Sequence, residues 1–435
     1  MLSAAELSLA LSTYLPEPVL LRLQEAGALA AERGLSLYLI GGSVRDMLLP
    51  ERSFDWDIDL VSEQTGIVAL AETLAQRWAG ELHPYPQYGT ATLRLKPLEL
   101  DFATARTEHY THPGANPEVS FSTLHADLVR RDFSINALAL NLHPERWCEL
   151  TDPFDGVKHL QQRVLQTWRE DKFSEDPVRG WRAARLSVSL NFAIAAETAV
   201  WLKQTMASGC FDGFLNRRIC SELWKCLEKP LPDVYLTRLD ALGVLRCLSP
   251  SLHWTAELAG CFERLRRLQV QFDEVSIADA YLLVLLAHLT EPWNSSLLKA
   301  LHLPRALQNS WFALARQLGY TEPPASASEA FQRFSGVSAT TLWVLWALQT
   351  DTEAPLAAAI SHYWQQTRFI QPPLSGKMLL ELVPRGPWLR DLLWQVHAAR
   401  IDGQIETHHQ AQILAHQLAK QWLLANGCVP QGEDN

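Results

Sequence analysis

The run Phe54-Asp55-Trp56-Asp57-Ile58-Asp59-Leu60 sets carboxylates and large apolar side chains at alternate positions. In an extended strand, residues two apart point to the same face. Asp57 and Asp59 therefore project together, while Ile58 and Leu60 give the strand a buried side. Two like charges held side by side disfavour the fold unless a cation neutralises them. Paired hard oxygen ligands suit Mg2+, which takes carboxylates together with nucleotide phosphates. Two such ions would activate an attacking hydroxyl and steady a leaving pyrophosphate. The competing reading is a solvated acidic strand edge.

A neighbouring strand should supply a third carboxylate. Thr90–Leu95 alternates, Lys96-Pro97 breaks the pattern and Leu98–Ala103 resumes it, which is a hairpin signature. Asp101 in that second run is the better candidate to assist a metal or polarise a hydroxyl, with Glu99 on the same side. Upstream, the apolar run Leu35–Ile40 enters Gly41-Gly42-Ser43-Val44-Arg45-Asp46. Glycines let backbone N–H groups approach a phosphate, and a helix start favours negative charge. Arg45 is placed to pair with a triphosphate. Read alone, the same segment is a tight strand–helix turn with Arg45 and Asp46 solvated.

At 435 residues the chain exceeds the size at which one core stops growing, so two or more domains are expected. The composition, 48% hydrophobic and 20% charged, is that of an ordinary folded protein. A formal charge of −10 weighs weakly against a nucleic-acid partner, because a local basic face can coexist with an acidic total. The seven scattered cysteines, Cys148 to Cys428, form no CxxC pair and read as thiols in a reducing compartment. The N-terminus lacks a basic n-region, and no run reaches the ~18–20 apolar residues of a membrane span. A cytoplasmic protein with no membrane partner is expected.

Strand patterns fill the first third: Leu35–Ile40, Ile58–Val61, the hairpin and Leu138–Leu142, with helices over Val19–Arg33 and Gly66–Ala79. From about residue 157 only helical patterns remain, among them Asp176–Leu190, Ile219–Leu227 and His408–Leu424. Most of the sixteen tryptophans fall there, at spacings that favour packing over base stacking. Pro430–Asn435 reads as a frayed end. The expected fold is an α+β N-terminal head, a small mixed sheet with flanking helices, followed by an all-α neck, body and tail. The divisions fall at residues 1–156, 157–230, 231–350 and 351–430.

Four motifs follow one another in order. GGSVRD with Asp57-Ile58-Asp59 comes first, then Arg130-Arg131-Asp132-Phe133-Ser134-Ile135-Asn136-Ala137. Asp152-Pro153-Phe154-Asp155-Gly156 and Glu175-Asp176-Pro177-Val178-Arg179-Gly180-Trp181-Arg182-Ala183-Ala184-Arg185 complete the series. Together they resemble the class II branch of the nucleotidyltransferase family, which holds bacterial CCA-adding enzymes and poly(A) polymerases. The resemblance is strong over residues 35–225, patchy over 226–370 and recovers over 371–405. It implies a nucleotidyltransferase head, CTP and/or ATP as nucleotides, the tRNA 3′ end as acceptor and Mg2+ on Asp57 and Asp59.

Further roles are implied position by position. Gly42, Arg45 and Arg131 fit the nucleotide's phosphates or sugar, although Arg131 also fits a plain ion pair with Asp132. Asp127 and Asn136 fit orienting hydrogen bonds. Asp176, Arg179, Arg182 and Arg185 form a stripe that drifts slowly around a helix. In the family, the residues matching Asp176 and Arg179 pair with the incoming base; structural salt bridges are the competing reading. Ser221-Glu222-Leu223 resembles a neck helix that packs more than it catalyses. Lys377, Arg385 and Gly386, near Val383-Pro384 and Gly386-Pro387-Trp388, are candidate tRNA-backbone contacts.

Two positions depart from the family pattern. The stretch Ala105–Val119 lacks the Asp-x-Arg of most CCA-adding enzymes and resembles members that split CC from A addition. Gly180 stands where an aliphatic residue is usual, at a helix cost of ~1 kcal/mol relative to alanine. The leading expectation is template-independent addition of C and/or A to tRNA. A poly(A) polymerase, a non-catalytic RNA-binding protein and a small-molecule nucleotidyltransferase follow in that order.

Overall fold

A computed structural model of the chain describes residues 2–49, 51–269, 276–289, 301–351, 353–382, 385–386 and 388–425. Val383, Pro384, Pro387, Cys428 and Pro430–Asn435 lie outside the described residues. The chain divides into two compact units, Met1–His253 and Trp254–Asn435.

The first unit is built on a seven-stranded sheet. Its strands are β1 (Leu37–Ile40), β2 (Asp57–Ser62), β3 (Glu81–Tyr85), β4 (Thr90–Leu95) and β5 (Leu98–Thr104). A separate hairpin, β6 (Arg106–His109) and β7 (Glu118–Phe121), follows, and then β8 (Ala139–Asn141) and β9 (Leu150–Thr151) complete the sheet. The order is β3-β4-β5-β2-β1-β8-β9. Only β2 and β5 run parallel; the other neighbours are antiparallel.

Alternation decides which face becomes the site. Leu93, Leu100 and Phe102 point into the core, where the helix Ile67–Trp78 packs on β3, β4 and β5. Their strand neighbours Thr92, Glu99 and Asp101 are left half-buried on the other face. The expected hairpin is therefore β4–β5, and the expected closing strand is β8 beside β1. The helix Glu17–Glu32 passes so close to the sheet that a Cβ on Gly27 would stand 2.0 Å from the Leu142 carbonyl oxygen. Gly27→Ala is accordingly expected to destabilise the unit by roughly 3 kcal/mol, the upper end of overpacking costs. Urea denaturation would show it as a lower midpoint at an unchanged slope.

Beyond the sheet the first unit is mostly helical: α1 (Lys172–Glu175), α2 (Val178–Ser189), α3 (Ala196–Ala207), α4 (Arg217–Leu227) and α5 (Pro232–Ala241). One correction applies to the expectation of helices alone. Val164–Leu165 and Ala193–Ile194 form a short parallel pair, too brief for any periodicity to register. The odd Gly180 is explained by packing, since a Cβ there would stand 3.0 Å from Leu202 of α3. Its hydrogen leaves room for the Leu202 side chain.

The second unit's described elements are helical, including Ala256–Gln269, Ile277–Ala287, Arg305–Leu318, Ala339–Ala347, Leu389–Ile401 and His408–Ala425. Trp311, Trp343 and Trp388 are buried, and Trp388 stacks on Trp422 with ring centroids 5.3 Å apart. These indoles pack, as their spacing predicts. Among the described residues, no helix is long and apolar enough to cross a membrane.

Candidate active site

The parallel pairing of β2 with β5 sets Asp57 beside Glu99 and Asp59 beside Asp101. Asp57, Glu99 and Asp101 offer oxygens that all lie within 4.8 Å of one another. Such an all-carboxylate set suits a hard divalent cation. Thr92 donates from Oγ1 to Asp101 Oδ1 at 2.5 Å, which fixes that carboxylate and leaves its second oxygen free to ligate. Glu99, the weaker candidate by sequence, stands in the group but also pairs with Arg94 at 2.7 Å.

Charge repulsion is built into this face. Asp57 keeps an accessible side, yet withdrawal from water and crowding by Asp59, Asp101, Asp55 and Glu99 push its carboxyl up to about 6. Asp59 is also raised, by burial first, with Arg131 pulling the other way. A bound cation would relieve both, so the donor set and its electrostatics fit a divalent metal.

Asp59 also borders a cleft of about 370 Å³ that begins at Gly41 and Gly42. Gly41 has φ of 73°, and a Cβ on it would stand 3.0 Å from Arg131 Nη1 and 3.2 Å from Asp59 Oδ2. Glycine is thus required there both by conformation and by space. Seven arginines line this cleft (Arg45, Arg130, Arg131, Arg179, Arg182, Arg185, Arg218) against four carboxylates. The acidic chain therefore carries a local basic pocket.

The arginines are held by a buried network. Asp127, fully buried, accepts from Arg130 Nε at 2.9 Å and from Arg131 Nη2 at 3.2 Å. Arg131 thus pairs with Asp127, and the alternative partner Asp132 accepts from Arg182 Nε at 2.5 Å. Burial would raise the Asp132 carboxyl, but Arg182, Asn136 and the Phe133 N–H outweigh it and hold it well below the usual range. Asn136 donates to Asp132 at 3.0 Å and accepts from Arg45 Nη1 at 2.8 Å. Arg45 and Asp46 are ion-paired and mostly buried rather than solvated.

All four members of the expected stripe, Asp176, Arg179, Arg182 and Arg185, line the cleft. Arg179 Nη1 donates to the Lys172 carbonyl at 2.9 Å and to Glu175 at 2.8 Å, and Nη2 donates to the Arg130 carbonyl at 2.9 Å. A guanidinium has five N–H groups, so Nε–H and one Nη2–H are left without a partner among the described residues. Asp176 accepts from the Val178 N–H at 3.1 Å and from Arg218. Arg185 donates to Glu222 at 2.6 Å.

Sequence reasoning missed Lys172, Glu222 and Arg218 as parts of this site. Arg218, two residues after the Asn216 cap of the neck helix, lines the cleft, and Glu222 on the same helix anchors Arg185; the neck motif marked the helix but not these contacts. Lys172 is buried, donates to the Val129 carbonyl and lies 4.9 Å over the Trp168 ring. No sequence signal marked it. Burial, with Arg179 adding, lowers its ammonium to about 7 from an ordinary value near 10.5. The unfolded chain then binds more protons between those two values, so stability should rise with pH across that window. Lys172→Met removes this slope: denaturation at pH ~7 and ~9.5 should show the wild type gaining on the variant at the higher pH.

Residues 37–166 match the family described as Poly A polymerase head domain. The A-adding tRNA nucleotidyltransferase of Geobacter sulfurreducens is 30% identical over 427 residues, 94% of this chain and 48% of that one. The CC-adding tRNA nucleotidyltransferase of Deinococcus radiodurans is 38% identical over 207 residues, 48% of this chain and 54% of that one. The chain belongs to the tRNA nucleotidyltransferase and poly(A) polymerase family. It spans about half the length of these two relatives. Among solved structures, the Thermotoga maritima CCA-adding enzyme complexed with tRNA-CCA superposes with TM-score 0.70 at 26% identity. That match covers 95% of this chain and 98% of the other.

In the second unit, Lys377 and Arg385 are exposed and Gly386 is half-buried against the Trp388 ring. The helix expected to open at Gly386-Pro387-Trp388 runs from Leu389 to Ile401, with Trp388 at its cap and buried.

Proposed function

We propose that this chain adds C and/or A from CTP and ATP to the 3′ end of tRNA, in the cytoplasm, with Mg2+ as cofactor. The observation that carries the reading is Asp59, which stands between the Asp57–Glu99–Asp101 carboxylates on its sheet face and the arginine-lined cleft. Mg2+ on Asp57, Asp59 and Asp101 would neutralise charge at the attacking hydroxyl and the leaving pyrophosphate. Gly42, Arg45 and Arg131 bind the triphosphate, Arg179 presents its two unpaired N–H groups to the base, and Asp176 presents the lone pairs that Val178 and Arg218 leave. Arg182 and Arg185, anchored by Asp132 and Glu222, hold the wall of the nucleotide site. The ribose 3′-oxygen of tRNA bonds to the α-phosphorus and the bond to the bridging oxygen breaks. Pyrophosphate leaves with that electron pair, and the hydroxyl proton passes toward Asp101.

Residues 1–156 serve as the catalytic head, 157–230 as the base-reading neck, 231–350 as the body and 351–430 as a tail that meets tRNA. Lys377, Arg385 and Gly386 are its candidate backbone contacts. Supplying α-labelled CTP and ATP with either tRNA or an oligo(A) primer tests the reading. Label confined to tRNA supports it, and equal extension of oligo(A) would favour a poly(A) polymerase instead.

A narrower reading is addition of the terminal A alone. It is favoured by the A-adding relative, which matches over 94% of the chain, whereas the CC-adding relative matches over 48%. The absence of Asp-x-Arg from Ala105–Val119 points to a split activity without choosing between its CC-adding and A-adding halves. ATP addition to tRNA ending in CC, without CTP addition to shorter ends, is the expected result.

A further inference from the structure

Lys172 is 1% exposed, the most deeply buried cation among the described residues, and it lines neither the arginine cleft nor the carboxylate group. A buried ammonium is costly, so its contacts must do something an apolar side chain could not. Those contacts are a backbone carbonyl, that of Val129, and the face of Trp168.

The carbonyl it holds is one of an adjacent pair. The Val129 carbonyl accepts from Lys172 Nζ, and the next one, that of Arg130, accepts from Arg179 Nη2 at 2.9 Å. Arg179 Nη1 in turn donates to the Lys172 carbonyl at 2.9 Å, which closes a ring of contacts. Two ties therefore fasten the Val129-Arg130 backbone to α1 and α2, and Lys172 makes one of them. The following residue is Arg131, whose N–H bonds the Leu128 carbonyl at 3.2 Å and whose Nη1 reaches the Gly41 turn. The path of this turn sets where the Arg131 guanidinium stands.

The anchor on the far side is firm. Trp168 stacks on Phe154 with ring centroids 3.8 Å apart and planes within 1°. Both rings pack on the core cluster that contains Leu128 and Ala137. The Trp168 Nε1 is buried without a hydrogen-bond partner among the described residues, so this indole contributes its faces.

We propose that Lys172 is a positioning residue for the nucleotide's phosphates: it ties the Arg130-Arg131 turn to the helices that carry Arg179, and so fixes the phosphate-binding arginine relative to the base-reading one. The proposal rests on the nucleotide site described above, although Lys172 itself lies outside the cleft. Charged or neutral, its nitrogen keeps an N–H for the Val129 carbonyl, so the position requires a donor.

Inorganic tripolyphosphate has no base and reports the phosphate wall alone; its binding and that of ATP are measured by calorimetry with Mg2+ on the full chain. Lys172→Met fills the slot but cannot donate, and is expected to weaken both ligands about tenfold. Lys172→Arg, which keeps donors, should lose less. Because Lys172 acts through Arg131, adding Lys172→Met to Arg131→Gln should cost little further affinity. A purely structural role would lower stability without that pattern. Unchanged tripolyphosphate affinity in folded Lys172→Met, or full additivity with Arg131→Gln, would overturn the proposal. Should Lys172→Met not fold, Trp168→Leu removes the ring beside the ammonium and no hydrogen bond, and the same weakening is expected of it; unchanged affinity there overturns the proposal equally. Wild type that shows this pattern yet extends no tRNA would overturn the function and leave the positioning role standing. Wild type that binds no tripolyphosphate would overturn both.

Discussion

Asp57→Asn protein, folded and purified, is expected to extend tRNA at least about 10³-fold more slowly than wild type. The expectation follows from the charge this carboxylate contributes. It shares a centre with Glu99 and Asp101, all within 4.8 Å, and the neutral amide removes one of three negative charges. Metal-supplied stabilisation of a phosphoryl transition state is worth several kcal/mol, and ~4 kcal/mol is a factor of about 10³. The fold itself should not suffer. Asp57 keeps an accessible side, and withdrawal from water together with crowding by like charges pushes it up to about 6, so the amide relieves both. Thermal unfolding with and without Mg2+ should separate the two effects. Mg2+ raises the wild-type midpoint more than that of Asp57→Asn; an equal rise would place the metal elsewhere.

Arg179→Gln is expected to lose both nucleotide discrimination and stability. Three of the five guanidinium N–H groups hold the Lys172 carbonyl, Glu175 and the Arg130 carbonyl. In the function proposed above the remaining two donate to the base, where a good bidentate contact is worth ~1–3 kcal/mol. The ratio of kcat/KM for ATP over CTP should therefore move by about 10- to 100-fold toward unity. Because the side chain is buried, its loss also leaves Glu175 and two carbonyls short of donors, at a cost of about 2 kcal/mol. Arg218→Gln separates these contributions. Arg218 touches Asp176 from an exposed position, so its loss should alter nucleotide selection with little loss of stability. Unchanged selectivity in both variants would assign base reading to other residues.

Much of the head was legible because its patterns are local. The alternation through Asp57-Ile58-Asp59-Leu60 gave a strand with one buried and one carboxylate face, and the structure has that burial pattern. The positive φ of Gly41 and its contacts with Asp59 and Arg131 explain why a glycine must follow β1. Other elements carry no comparable signal. Strand β3 reads Glu-Leu-His-Pro-Tyr, an edge strand with proline and little alternation, and it is held by pairing with β4. The hairpin β6–β7 buries neither face fully and lies in a segment that reads as loop.

Distant partnerships were the harder part of the site. Asp132 has Arg131 beside it in sequence yet pairs with Arg182, fifty residues on. Arg179 reads as a base-facing residue, but its clamp on the Arg130 carbonyl joins the neck to the Arg130-Arg131 pair of the head. Neither contact follows from spacing, because each depends on how α2 docks against the head. In the second unit, Arg305–Leu318 and Pro355–Gln365 are helices that the sequence reading did not single out, although Leu307, Trp311 and Leu314 recur at helical spacing on a buried face. Packing there decides what propensity leaves open.

The most direct measurement offers purified protein and Mg2+ three tRNA transcripts, ending before CCA, after C and after CC. CTP and ATP are supplied singly and together, with Asp57→Asn as the control. Extension of at least one transcript by wild type and none by Asp57→Asn is the predicted result. Addition of A alone to the CC-ended transcript would identify the terminal-A enzyme, and completion of CCA on the shortest would identify the full one. No extension of any transcript, or equal extension by Asp57→Asn, would contradict the account.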